Sequence, residues 1–143
     1  MLNDINKKIL NTAKKADFSL KNIESYEQNY IEAGGKSNLL NYFNISDYKA
    51  MVKDEIKKKI IFSEHNLTED QSFNEFHLII CRNVLIYFNK ELQNKVIKLF
   101  YNSLPSLGFL ALGTKETIAF SDFESKFNKR IESEKIWQLI SND

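Results

Sequence analysis

The run Phe76-His77-Leu78-Ile79-Ile80-Cys81-Arg82-Asn83-Val84-Leu85-Ile86-Tyr87-Phe88 sets polar side chains directly behind an apolar segment. Phe76 to Cys81 shows no helical period, which predicts a strand buried on both faces of a parallel sheet. Arg82, Asn83 and Tyr87 then fall just past the carboxyl end of that strand, where open α/β sheets bind their ligands. Two readings stand side by side. Arg82 and Asn83 can anchor loops by bonding to backbone carbonyls, since polar groups next to a buried strand need partners. Alternatively, the trio forms the rim of a cofactor and substrate crevice.

Asp4 is the second candidate. A carboxylate at the end of a sheet strand can accept both ribose hydroxyls of a nucleoside, whereas an aspartate before a helix more often serves the helix terminus. Asn66, just after the expected strand Lys59 to His65, reads by itself as a turn residue. Cys81 reads as a small buried hydrophobe. His65 and His77 form no ligand spacing with it, so no metal site is expected. Trp137 is expected in the core, and Glu116, beyond the strand Phe109 to Gly113, is expected to be exposed. No Gly-x-Gly-x-x-Gly, no Gly-x-x-x-x-Gly-Lys and no Ser/His/Asp set is present, which argues against P-loop enzymes and serine hydrolases.

The elements that would position these residues can be read in outline. The chain has 143 residues, 43% of them apolar and 27% charged, which suits one soluble α/β domain with an ordinary core. Its net charge of +1 offers no steering of nucleic acid, so no nucleic-acid partner is expected. A single cysteine rules out an internal disulfide and points to a reducing compartment, the cytoplasm. No apolar stretch nears the roughly 18 residues of a membrane span and no signal peptide opens the chain, so no membrane insertion is expected. Ile5, Ile9, Leu10, Ala13 and Ala16 share one helical face. Leu20 to Ala33 repeats at helical spacing up to Gly34-Gly35. Leu39 to Lys53 reads as a β-hairpin, Asn66 to Glu75 as a loop, and Lys90 to Leu104 as a helix capped by Asn89. Strand, helix and strand from Phe76 to Gly113 make a βαβ unit, and Phe127 to Ile131 with Lys135 to Ile140 reads as a closing hairpin.

Cys81-Arg82-Asn83-Val84-Leu85-Ile86-Tyr87-Phe88 resembles the Cys-Arg-Asn-Val-x-Ile-Tyr-Phe signature of CheR-type chemotaxis methyltransferases. Asn3-Asp4-Ile5-Asn6, Asn66-Leu67, Phe88-Asn89-Lys90, Gly108 to Gly113, the Gly113 to Glu116 loop and Glu134-Lys135-Ile136 are similar to segments of the same family. The resemblance implies methyl transfer from S-adenosylmethionine to glutamates of chemoreceptors or related signalling proteins, with S-adenosylhomocysteine as product. It implies that Asp4 holds the cofactor ribose and that Asn66 and Leu67 lie against the adenine. It places Asn83 on the cofactor side, and Arg82 and Tyr87 on the substrate side.

As for architecture, the resemblance implies the C-terminal part of a methyltransferase domain, residues 1–143. This would be a partial Rossmann-like sheet lacking its first strand, with a small antiparallel β-subdomain inserted at about 39–53 and a C-terminal hairpin. The family's N-terminal helical domain, its arginine near the chemistry and its Gly-x-Ser-x-Gly-Glu-Glu cofactor loop have no counterpart here. Strands beside the missing one would carry unpaired backbone groups costing roughly 1–3 kcal/mol each if buried, against a domain stability of about 5–15 kcal/mol. Strand re-pairing, self-association through the unpaired strands or an upstream segment would offset that. The alternative function is a catalytically inactive remnant that binds a signalling partner through the β-subdomain.

Overall fold

The computed structural model describes residues 1–69, 74–131 and 133–141. The chain divides into two compact units, Met1–Asn66 and the part from Leu67 onward.

In the first unit, β1 (Leu2–Asp4) leads into α1 (Lys7–Lys15). Asn6 caps this helix by accepting the Lys8 amide at 2.9 Å, and Ala16 ends it in a left-handed conformation with φ 50°. Of the expected apolar face only Leu10 is buried, while Ile5 and Ile9 are exposed. β2 (Asp17–Ser19), a 3-10 turn and α2 (Ile23–Glu32) follow. The expected hairpin is real but shorter than 39–53. Leu39–Tyr42 is a 3-10 turn, and only β3 (Phe43–Ile45) and β4 (Lys49–Val52) pair. β2 adds to them antiparallel, giving the order β2-β4-β3. A strand this short carries no period to detect. Phe18 packs edge-on against both Tyr26 and Phe43 with centroids 6.0 Å apart, over the buried Ala50. The lysine-rich stretch after β4 contains a single helical turn, α3 (Asp54–Lys57), and then β5 (Phe62–Glu64), which pairs parallel with β1.

The second unit contains β6 (Leu78–Cys81), α4 (Lys90–Ser103), β7 (Phe109–Leu112), β8 (Phe127–Ile131) and β9 (Ile136–Leu139). Its sheet runs β6-β7-β9-β8, with β6 and β7 parallel and the other pairs antiparallel. Asn89 caps α4 through the Leu92 amide at 2.9 Å, as its position before the periodic segment predicts. Val96, Ile97 and Phe100 of α4 form one core with Cys81, Leu110, Leu112, Trp137 and Leu139. Residues 70–73 of the expected loop Asn66 to Glu75 lie outside the described residues.

The sheet overturns one expectation. β6 is not buried on both faces, because Leu78 is 54% and Ile80 65% exposed. It is an edge strand, and α4 covers only the face that carries Ile79 and Cys81.

Candidate functional site

The loop after β6 is built around an anion supplied by the chain itself. Asn83 takes φ 60°, a left-handed conformation that asparagine tolerates better than most residues. Val84 then returns to the right-handed helical region. Alternating hands in this way turns successive amides toward one point and makes an anion-binding concavity. Glu116 fills it. Its Oε1 accepts from the amides of Val84 and Leu85 at 2.8 Å each, and its Oε2 from those of Asn83 at 2.9 Å and Gly113 at 2.6 Å. Burial of this carboxylate opposes ionisation, but the four backbone donors outweigh it and hold Glu116 below the usual carboxylate range. The expectation of an exposed glutamate is therefore corrected, since only 3% of Glu116 is accessible. The signal was present in the sequence: a glycine ending a strand, with a glutamate three residues on, lets the carboxylate fold back onto the strand ends.

Gly113 is part of the same construction. A Cβ there would lie 2.6 Å from Glu116 Oε2 and 3.0 Å from Asn83 Oδ1. The far end of the loop is fastened by α4, where Gln93 Nε2 donates to the carbonyls of Leu85 and Phe88 at 3.0 Å each. Between these anchors the loop presents Arg82, which is exposed, and Tyr87, which is 80% exposed. Neither side chain makes a hydrogen bond or ion pair among the described residues, so the Arg82 guanidinium does not act as a loop anchor. Cys81, just before them, is buried, and desolvation with the nearby Glu116 charge pushes its thiol up to about 12.

The structure carries Arg82, Asn83 and Tyr87 exposed on this one loop. Leu67 packs against the core of the same unit, as do Val84 and Phe88. Asp4 and Asn66 belong to the other unit. There, Asp4 ends β1 opposite Glu64 of β5, and the His65 amide donates to the Asp4 carbonyl at 3.3 Å. Asp4 and Asn66 thus share the carboxyl end of that parallel pair. Asp4 Oδ1 accepts the Asn6 amide at 2.7 Å, so the side chain also steadies the entry to α1.

The sequence profile described as CheR methyltransferase, SAM binding domain, matches residues 1–135. The chain belongs to this family. A Pseudomonas putida protein named "Putative methyltransferase Cher3" is 37% identical over 135 residues, which is 94% of this chain and 50% of that protein. "Chemotaxis protein methyltransferase 1" of Vibrio cholerae is 40% identical over 73 residues, half of this chain and 26% of that protein. "Chemotaxis protein methyltransferase" of Borreliella burgdorferi is 37% identical over 83 residues, 55% of this chain and 29% of that protein. The chain therefore spans half the length of the first relative and less of the others. Its α/β pieces, with parallel pairs β1–β5 and β6–β7, are those of a partial Rossmann-like methyltransferase sheet.

The cofactor of a CheR-type domain is S-adenosylmethionine. Its nucleoside half fits what is present, because Asp4 is a carboxylate at a strand end with one oxygen uncommitted among the described residues. Among the described residues the amino-acid half finds no equivalent cradle. The amide concavity after β6 is already filled by Glu116, and the space at Gly108 and Gly113 is taken up by the chain itself. No described helix is long and apolar enough to cross a membrane.

Proposed function

We propose that this chain is the portion of a protein-glutamate O-methyltransferase that holds the cofactor nucleoside and presents the acceptor, acting on chemoreceptors or related signalling proteins in the cytoplasm. The observation that carries this reading is the doubly fastened loop after β6, which leaves Arg82 and Tyr87 uncommitted at the carboxyl end of a parallel strand. S-adenosylmethionine, when bound, supplies an electrophilic methyl group on sulfur. Transfer of that methyl to a glutamate oxygen is the chemistry the bound cofactor would supply. Glutamate is already ionised at neutral pH, so no strong base is required. What the protein must supply is position, and loss of alignment costs about 100-fold in such reactions. Arg82 pairs with the incoming carboxylate and Tyr87 orients it by a hydrogen bond. By resemblance to the family, Asp4 would accept from the ribose, Asn66 and Leu67 would lie against the adenine, and Asn83 would serve the cofactor side.

The test is a chimera in which residues 1–143 replace the matching half of the Pseudomonas putida relative. It is incubated with tritiated S-adenosylmethionine and chemoreceptor-containing membranes. Base-labile label on the receptor, the mark of a methyl ester, is the expected result, falling by about 100-fold in Arg82→Ala. A stable, folded chimera that transfers no base-labile methyl would end the proposal.

A second reading, a partner-binding remnant, draws on one observation. The three-stranded β2-β4-β3 sheet is formed in full, and among the described residues both of its outer edges are open to a further strand.

A further inference from the structure

The loop after β7 holds a costly turn that core packing does not explain. The Ser121 amide donates to the Ile118 carbonyl at 3.1 Å and closes a turn from Ile118 to Ser121. Its third residue, Phe120, has φ 67°, at a place that glycine or asparagine takes in a type II turn. For a bulky side chain this left-handed backbone is a rare outlier. Burial gives nothing in return, because Phe120 is 94% exposed. The loop is anchored on either side of it, by the buried Ile118 and by Phe123, whose ring lies 5.1 Å from that of Tyr101 against the core. Ser121 adds a second cost, since its Oγ is buried with no hydrogen-bond partner among the described residues. Yet the turn is firmly held. Glu124 accepts the Phe120 amide at 2.8 Å, and Asp122 exchanges two hydrogen bonds with Asn94 of α4, at 2.6 and 3.0 Å. A single exposed phenylalanine is ordinary. One that its surroundings fix in a strained turn is a candidate for function, because such strain persists mainly where binding uses it.

Its place in the sheet says what that function is. β6 and β7 are parallel neighbours, with Cys81 beside Leu112 at their carboxyl ends. The signature loop and the Phe120 loop therefore leave the same edge of the sheet. Glu116 ties one to the other through the amides of Asn83, Val84 and Leu85. Consecutive residues of α4 hold both, Gln93 the signature loop and Asn94 the Phe120 loop. That edge presents a cation at Arg82, a phenol at Tyr87 and a phenyl at Phe120, all exposed. We infer that Phe120 is a specificity contact for the acceptor, taking up a large apolar side chain that flanks the glutamate received by Arg82 and Tyr87. Charge and apolarity together define the occupant: a peptide segment with a carboxylate for the guanidinium and a leucine-sized side chain within a few residues of it. The inference rests on the reading above that the signature loop receives the acceptor.

The experiment titrates the full chain with short peptides that hold a central glutamate and a leucine at successive distances from it, following the amide shifts by NMR. At the favoured spacing, the leucine peptide is expected to bind about tenfold more tightly than its serine counterpart and to shift the Phe120 and Tyr87 amides. Phe120→Asn keeps the left-handed turn at lower cost and removes the ring. The preference for leucine is then expected to vanish while the midpoint of urea unfolding holds or rises, and Phe120→Tyr is expected to keep the preference. A purely structural phenylalanine behaves in the opposite way: Phe120→Asn lowers the midpoint and leaves the preference intact, and that result would overturn the inference. So would equal binding of leucine and serine peptides, or binding that leaves the Phe120 amide unshifted. A chimera that transfers no methyl while the leucine preference persists counts against the proposed reaction and supports the contact.

Discussion

Replacing Glu116 with glutamine is the most direct way to ask what holds the signature loop in shape. The change keeps size and shape but turns one oxygen into an amide donor. Oε1 can still serve the Val84 and Leu85 amides, although without charge. The other position, now N–H₂, faces the amides of Asn83 and Gly113, which would be left buried and unpaired. At about 1–3 kcal/mol for each orphaned donor, the loss is about 2–6 kcal/mol, a large part of a typical domain stability of about 5–15 kcal/mol. Trp137, the only tryptophan, is buried in the same core and reports unfolding of this unit by fluorescence in urea. The pH dependence adds a second check. The Glu116 pKa in the folded protein lies below its ordinary value of about 4.3, because the four backbone donors outweigh the burial that opposes ionisation. Its contribution is therefore fully present above about pH 4.3 and is lost as pH falls through the lower folded value. The gap between wild type and Glu116→Gln should accordingly be widest near neutral pH and close on acidification. A variant that loses less than about 1 kcal/mol at pH 7, or a gap that does not change with pH, would refute the idea that the carboxylate organises the loop.

Other outcomes follow from the same geometry. Gly113→Ala should destabilise the second unit by about 1–3 kcal/mol through overpacking against Glu116 and Asn83, measured by the same urea titration. Cys81, with its thiol raised to about 12, should react with a thiol reagent at pH 8 only as fast as the unit opens, so labelling in native buffer should lag far behind labelling in urea. Calorimetry should find weak or no binding of S-adenosylhomocysteine to the isolated chain, since no cradle for the amino-acid half of the ligand is formed among the described residues; micromolar binding would contradict that reading. Deleting Leu39 to Lys53 and repeating a pull-down with a receptor C-terminal peptide separates the two functional readings, with lost binding favouring the partner-binding remnant.

Local chemistry made much of this protein legible from its residues. Asn89 before a periodic apolar stretch set the start of α4, and Pro105 with Gly108 set its end, because caps and breakers act within a few residues. The segments Phe127 to Ile131 and Lys135 to Ile140 read as a closing hairpin and pair as one, and the octapeptide after Ile80 carried the family. Three-residue strands such as β2 stayed hidden, since they exist only through pairing with β4. Tertiary structure decided the fate of β6 and showed which amides Glu116 meets. A glutamate after a strand looks solvent-bound until its carboxylate is seen closing onto amides more than thirty residues earlier in the chain. An apolar hexamer likewise reads as fully buried until the sheet shows which of its faces has a helix to lie against, because burial belongs to the neighbours a strand finds and not to the strand alone.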